Sequence, residues 1–211
     1  MLRTCTKIFI VGPQGSGKGT QSHLLADYLK IPTFSMGQLL RDEVAAKSEI
    51  GKRIAKTLEE GKIVPEEVSG DILKERIRRP DVVCGYILDG YPRNMRQYES
   101  FVFEDPTHMI VLEVPRDVSI ARLSGRLTCL SCGNSVSEGK KFHEGSACTC
   151  GGVYGRRTDD TPESIARRLD IYEKETSEVI ALYEKRGLVR RINGVGTIQQ
   201  IHKRILKALG V

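Results

Sequence analysis

Gly12-Pro13-Gln14-Gly15-Ser16-Gly17-Lys18-Gly19-Thr20 follows the apolar run Lys7 to Val11 and leads into Gln21 to Leu29, a segment of helical period. A strand, a glycine-rich turn, a lysine and a helix start therefore occur in register. Glycines let a backbone wrap a phosphate chain with its amides pointing inward, and the helix N-terminus adds the positive end of its dipole. In such a loop Lys18 reaches the β and γ phosphates and a hydroxyl holds magnesium. The common pattern has Ser or Thr directly after the lysine; here Gly19 intervenes and Thr20 comes second. Gly15, Ser16, Gly17, Lys18, Gly19 and Thr20 are thus candidate phosphate-binding residues.

Working outward, short β-branched runs alternate with longer helical segments, which predicts an α/β fold with a parallel sheet between helices. Strands are expected at Lys7 to Val11, around Thr33, at Tyr86 to Asp89, Met109 to Val114 and Leu188 to Ile192. Helical stripes are Leu24, Leu25, Tyr28 and Leu29; then Val68, Ile72, Leu73 and Ile77; and at the end Ile198, Ile201, Ile205 and Leu209. A further helix has Thr161 as cap and Pro162 at its first position, and runs as one stripe through Ile165, Leu169, Tyr172, Val179, Ile180 and Tyr183 to near Gly187. Two stretches break the alternation. Residues 35–64 read as two short helices punctuated by Gly51 and Gly61, and residues 127–158 are polar and rich in Gly and Cys. We expect a core of residues 1–34, 65–126 and 159–211 carrying two mobile inserts.

The chain has 211 residues, with 33 Lys and Arg against 27 Asp and Glu, a formal charge of +6. That sign suits nucleic acid, an anionic membrane surface or a phosphorylated metabolite, and the placement of the arginines must choose among them. No apolar run reaches the length of a membrane span, and Met1 to Lys7 leads into a strand without a signal-like apolar region. The expectation is a cytoplasmic monomer without membrane or nucleic-acid partners.

The ending Gly17 to Gln21 resembles the adenylate kinase and UMP/CMP kinase branch of the phosphate-loop families. Further segments resemble that branch in order: Ser35-Met36-Gly37-Gln38-Leu39-Leu40-Arg41, Gly61 to Pro65, Asp89-Gly90-Tyr91-Pro92-Arg93, Arg122 to Arg126, Arg157-Thr158-Asp159-Asp160 and Arg168. They span nearly the whole chain. The resemblance to adenylate kinases implies a five-stranded three-layer core, transfer of a phosphoryl group from MgATP to AMP, a monophosphate insert at 35–64 and a lid at 127–158. Phosphoryl transfer asks for positioning and charge neutralisation, and guanidinium groups suit phosphate oxygens. By resemblance Lys18, Asp89, Arg93, Arg126, Arg157 and Arg168 are catalytic, with Asp89 orienting magnesium through water. Arg122, Arg126 and Gly196 join the phosphate loop at the ATP site. Met36, Arg41, Lys62, Ile63, Val64, Gly90, Tyr91, Pro92, Arg93, Gln97, Arg157 and Arg168 form the AMP site. Gln97 matches the glutamine that reads adenine, whereas Met36 replaces a usual threonine, Gln38 a usual aspartate, and Asn94 resembles the pyrimidine-nucleotide branch. UMP or CMP is the alternative acceptor.

Six cysteines occur, four of them between Cys129 and Cys150. Cys129-Leu130-Ser131-Cys132-Gly133 has the spacing of a zinc knuckle, and Cys148-Thr149-Cys150 supplies a second pair. Many bacterial adenylate kinases carry a lid resembling this, which implies structural zinc on Cys129, Cys132, Cys148 and Cys150. The second pair is one residue short: Cys150 aligns with the fourth ligand and Ala147 with the third, so Cys148 or His143 completes the set. Cys5 and Cys84 read as buried small residues near strand starts, and His23, His108 and His202 as surface or helix positions. A rival class, a nucleic-acid-binding ATPase with a zinc ribbon, requires aromatics for base stacking, and only Phe142 and Tyr154 lie near the cysteines. A non-catalytic zinc-binding relative is a third reading, although Lys18, Asp89 and the arginines are all present.

Overall fold

The structure, a computed structural model, describes residues 5–101 and 104–211, so the reading of Met1 to Thr4 lies outside the described residues. β1 (Thr6–Val11) leads through the glycine-rich loop into α1 (Lys18–Leu29), then β2 (Thr33–Ser35). The first insert follows as α2 (Met36–Ala45) and α3 (Glu49–Glu59). Next come α4 (Glu66–Ile77), a short 3-10 turn, β3 (Gly85–Asp89), α5 (Met95–Ser100), β4 (His108–Glu113) and α6 (Arg116–Ser124). Three short strands, β5 (Arg126–Cys129), β6 (Ser135–Ser137) and β7 (Tyr154–Gly155), make up the cysteine-rich region. The chain ends with α7 (Pro162–Ile171), a π turn (Tyr172–Thr176), α8 (Ser177–Lys185), β8 (Val189–Asn193) and α9 (Ile198–Leu209).

The main sheet has five strands in the order β2-β3-β1-β4-β8, all parallel. A parallel sheet is covered on both faces, which is why its strands read as continuous apolar runs. Within β1, Ile8 and Ile10 join one core with Leu25 of α1 and with Ile201 and Ile205 of α9. Phe9 and Val11 join the other with Leu40, Leu73, Val179 and Tyr183. The small sheet, β6-β5-β7, is antiparallel and has its own core of Leu127, Cys129, Cys148 and Tyr154. Among the described residues no helix is long and apolar enough to cross a membrane.

Four expectations need correction. Cys5 and Cys84 are exposed, with Cys5 Sγ donating to the Val83 carbonyl at 3.0 Å, because both precede the strands rather than lie in them. In α1 Tyr28 is 53% exposed, whereas Gln21 and Ser22 are buried, since the helix start lies behind the loop. The stripe from Ile165 to Tyr183 is not one α-helix; a π turn divides it, and the Ser177 amide bonds to the Tyr172 carbonyl. Gly51 does not break a helix. It lies inside α3, where Ser48 caps the helix by accepting the Gly51 amide at 2.9 Å, and it is glycine because α2 passes so close.

A side-chain carbon at Gly51 would overlap the Glu43 carbonyl and come within 2.8 Å of the Val44 nitrogen. Helix propensity alone favours Gly51→Ala by about 1 kcal/mol, but overpacking of this kind costs about 1–3 kcal/mol. Gly51→Ala is therefore expected to lower the urea midpoint; a variant as stable as the parent would refute the close α2–α3 approach.

Candidate active site

All strands of the main sheet point the same way, so their carboxyl ends share one edge, where ligand sites of open α/β sheets form. Register brings Ile10 opposite Asp89 and Ser35 opposite Asp89, which aligns the loops after β1, β2 and β3. Gly194 to Gly196 follow β8 at the same edge. These loops, the two inserts and α7 enclose a cleft of about 790 Å³ that reaches from Gly15–Thr20 to Met36, Gln97 and Gly196.

In the loop, Gly15 and Gly17 have φ of 80° and 92°, a region that side chains disfavour. Lys18 curls over it, its Nζ donating to the carbonyls of Gly12 at 2.8 Å and Pro13 at 2.9 Å. Burial pushes the Lys18 ammonium down to about 8; Asp89 opposes the shift, and Arg93 and Arg126 add to it. Arg122 ties the loop to the end of β8 by donating to Gly15, Ser16 and Gly194 carbonyls at 3.4, 3.5 and 3.1 Å. Asp89 is 8% exposed, and its carboxylate makes no hydrogen bond or ion pair with any described residue. Burial raises its pKa, with Lys18 and Arg93 opposing. A buried carboxylate without a donor is a ready ligand for a cation or its water shell.

Four guanidinium groups converge on two carboxylates. Arg126 grips Asp160 with contacts of 3.0 and 2.5 Å, and Arg157 grips Asp159 through two nitrogens. Arg168 donates to Asp159 at 2.5 Å, to Asp160 at 3.5 Å and to the Leu58 carbonyl at 3.3 Å, while Arg41 lies 3.9 Å from Asp159. Burial would raise the Asp159 carboxyl, but hydrogen bonds and charge from Arg157 and Arg168 hold it far below the usual range. Burial and neighbouring guanidinium groups push Arg41 down to about 9 and Arg93 to about 10, against the pull of Asp159 on both and Asp89 on Arg93. Guanidinium stays charged in proteins, so both groups carry their charge at a cost set mainly by burial, to which the neighbouring cations add.

Arg93 is fixed along its length. Its Nε donates to the Gly90 carbonyl at 2.8 Å and its amide to Gln97 Oε1 at 2.9 Å. Gln97 is 3% exposed, so with Oε1 engaged its Nε2 is the polar group left for a ligand. Asn94 accepts the Gln97 amide at 3.0 Å and caps α5. Tyr91 and Pro92 are buried around a cis peptide bond. Met36 and Val64 are each 2% exposed; Ile63 lines the cleft, and exposed Lys62 pairs with Glu60 at 2.5 Å. Gln38 accepts from Arg41 at 2.8 Å and lies against Gly133, so this departure from the family pattern meets the cysteine-rich insert.

The four clustered thiols converge although the second pair is short. Cys129 Sγ is 3.5 Å from Cys150 Sγ, Cys132 Sγ is 3.8 Å from Cys148 Sγ, and all four lie within 4.8 Å of one another. A tetrahedral site with metal–sulfur bonds of about 2.3 Å has sulfur–sulfur edges of about 3.8 Å, so the donor set fits zinc. The Cys150 amide and the Tyr154 hydroxyl pull the Cys148 thiol down to about 6. His143 is exposed and outside the cluster. The Cys148 amide bonds to the Gly152 carbonyl and that of Gly151 to Cys148, the tighter turn that compensates for the missing residue. Asp159 and Asp160, quoted only as part of a motif, prove to be the anchors of the arginine cluster. Their signal was adjacency to Arg157.

The family model described as adenylate kinase matches residues 10–188. The chain is 36% identical to the adenylate kinase of Streptomyces avermitilis, over 96% of each chain. It is 37% identical to that of Syntrophobacter fumaroxidans, over 96% of this chain and 99% of the relative. Identity to the adenylate kinase of Methanothrix thermoacetophila is also 37%, over 96% of this chain and 97% of the relative.

The Lys18 shift makes a signed prediction. With a folded pKa of about 8 and an unfolded value of about 10.4, the unfolded chain holds more protons between these limits, so the Lys18 contribution to stability rises with pH through that window. A bound polyphosphate favours the ammonium, so binding of inorganic tripolyphosphate at pH 9 should take up nearly one proton, against little at pH 7. Calorimetry in two buffers of different ionisation enthalpy measures this. Uptake should vanish in Lys18→Arg, which keeps the charge; equal uptake in both proteins would exclude Lys18 as its source.

Proposed function

The chain belongs to the adenylate kinase family, and on that footing we propose that it transfers a phosphoryl group reversibly from MgATP to AMP, giving two ADP, with the cleft residues in the following roles. The observation that carries this assignment is the surplus of buried guanidinium groups beside the phosphate loop, which two carboxylates only partly neutralise. Asp159 and Asp160 stand in for phosphate oxygens and release Arg126, Arg157 and Arg168 when a polyphosphate enters. Lys18 and the loop amides cradle the donor chain. Arg41 and Arg93 hold the acceptor phosphate, and Arg157 and Arg168 bridge the two. Arg122 lies against the donor base beside Gly196. Asp89 and Thr20 are the residues suited to hold magnesium, which when bound neutralises charge on the β and γ phosphates. Closure of residues 35–64 and 127–158 excludes water, a competing acceptor.

AMP is the acceptor of choice. Gln97 keeps an Nε2 donor free, which suits a ring nitrogen of adenine, and Met36 adds an apolar wall. Asn94, the residue most like the pyrimidine branch, is occupied as a helix cap. Zinc on Cys129, Cys132, Cys148 and Cys150 would close a four-ligand site with no position for water, a structural role. Phe142 and Tyr154 meet edge to face at 5.5 Å in the small core, which argues against a base-stacking platform there. A cytoplasmic monomer with ATP and AMP as its partners, and neither nucleic acid nor membrane, agrees with this reading.

With MgATP as donor, AMP should turn over faster than UMP, CMP or GMP in a coupled assay; a faster pyrimidine nucleotide would reassign the acceptor. Lys18→Ala should lower kcat by about 10³ with the melting curve retained. For the metal, elemental analysis should give one zinc per chain, reduced in Cys148→Ser and unchanged in His143→Ala. Chelation should lower the melting temperature, on the order of 5 °C. Full zinc content in Cys148→Ser would remove that residue from the ligand set.

A further inference from the structure

The π turn at Tyr172–Thr176 is the irregularity in a helical run that otherwise extends from Pro162 to Lys185. Turns of this kind insert one residue into a helix and gather at functional sites. This one lies between two segments with different tasks. Arg168, on α7, belongs to the arginine cluster, and Val179, Ile180 and Tyr183, on α8, pack into the main core. In an unbroken α-helix, eight residues leave the second side chain about 80° round from the first; absorbing one residue removes about 100° and brings positions 168 and 176 to within about 20°. The turn therefore lets one helix present both Arg168 and Thr176 on the side of the loop after β3 while α8 keeps its apolar face inward. Both residues line a small pocket together with Gly90, Pro92 and Arg93, and Arg93 and Arg168 line the large cleft as well.

Thr176 is 4% exposed, and its hydroxyl donates to the carbonyl of Arg93 at 2.8 Å. Next to it Glu175 accepts from Asn94 at 3.3 Å. Since Gln97 Oε1 already holds the Arg93 amide, Arg93 is bonded on both sides of its α-carbon, by α5 and by the π turn. The loop after β3 has no regular structure of its own between Asp89 and Met95, so these bonds set where its guanidinium points.

We propose that Thr176, presented by the π turn, is a positioning residue for phosphoryl transfer, fixing the main chain of Arg93 so that its guanidinium and that of Arg168 address the phosphates from one rigid frame. The proposal rests on the role assigned to Arg93 above. It goes beyond that role by tying the aim of the acceptor arginine to a helix that carries a second cluster arginine.

Steady-state kinetics with MgATP and AMP test it in Thr176→Val, Thr176→Ser and Arg93→Ala, with melting curves for each. Thr176→Val fills the same space without a donor and should lower kcat/KM for AMP about tenfold, the scale of one unpaired buried acceptor. KM for ATP should stay within about twofold, and Thr176→Ser should restore the wild-type value. Should the valine variant not fold, Thr176→Ala takes its place with the same expectation. Wild-type kinetics in Thr176→Val while Arg93→Ala is crippled would overturn the proposal and leave the arginine assignment standing. Equal losses in the Val and Ser variants would make the residue a packing element and overturn it as well. Full activity in Arg93→Ala would overturn the assignment on which it rests.

Discussion

Positive charge held out of water is the constraint on which the site depends. Lys18, Arg41, Arg93, Arg126, Arg157 and Arg168 face Asp89, Asp159 and Asp160, so six cationic groups meet three anionic ones at the carboxyl edge of the sheet. Buried like charges repel unless something holds them apart, and each of these has a fixed anchor. The carboxylates serve Arg126, Arg157 and Arg168, main-chain carbonyls serve Lys18 and Arg93, and Gln38 serves Arg41. A ligand with several negative charges relieves the surplus, and water does so poorly.

The anchors also join parts of the chain that are distant in sequence. Arg168 and Arg167 donate to the Leu58 and Glu60 carbonyls at the end of α3, the negative end of the helix dipole. Arg126 opens β5 and pairs with Asp160 just before α7, so the base of the cysteine-rich insert is tied to the same charges. Release of Asp159 and Asp160 by a polyphosphate would thus change contacts to both inserts at once. The thiol cluster stands apart from this exchange. Its small sheet has an apolar core of its own, separate from the cores on the main sheet.

Much of this was legible in the chain itself. The five strands, the loop after β1 and the long helices follow from apolar periodicity and glycine placement, because those signals are local. Family resemblance located the arginines as well, although not what each one touches. The small strands β5 to β7 escaped because runs of two to four residues have no period to detect. The π turn escaped because the apolar stripe on either side of it still looks helical. Gly51 reads as punctuation because a sequence does not say how close a second helix will pass.

The residues by themselves determined the fold class, the glycine-rich loop and the supply of cationic side chains, since strand, turn and helix preferences act within a few neighbours. Only the tertiary structure decided how those side chains are held. Asp159 and Asp160 became anchors, Gln97 kept one donor free, Cys148 rather than His143 joined the thiols, and Thr176 reached Arg93. The Gln97–Arg93 bond spans four residues, but the Thr176–Arg93 bond joins segments 83 residues apart, and distance and direction on that scale are set by packing rather than by local preference.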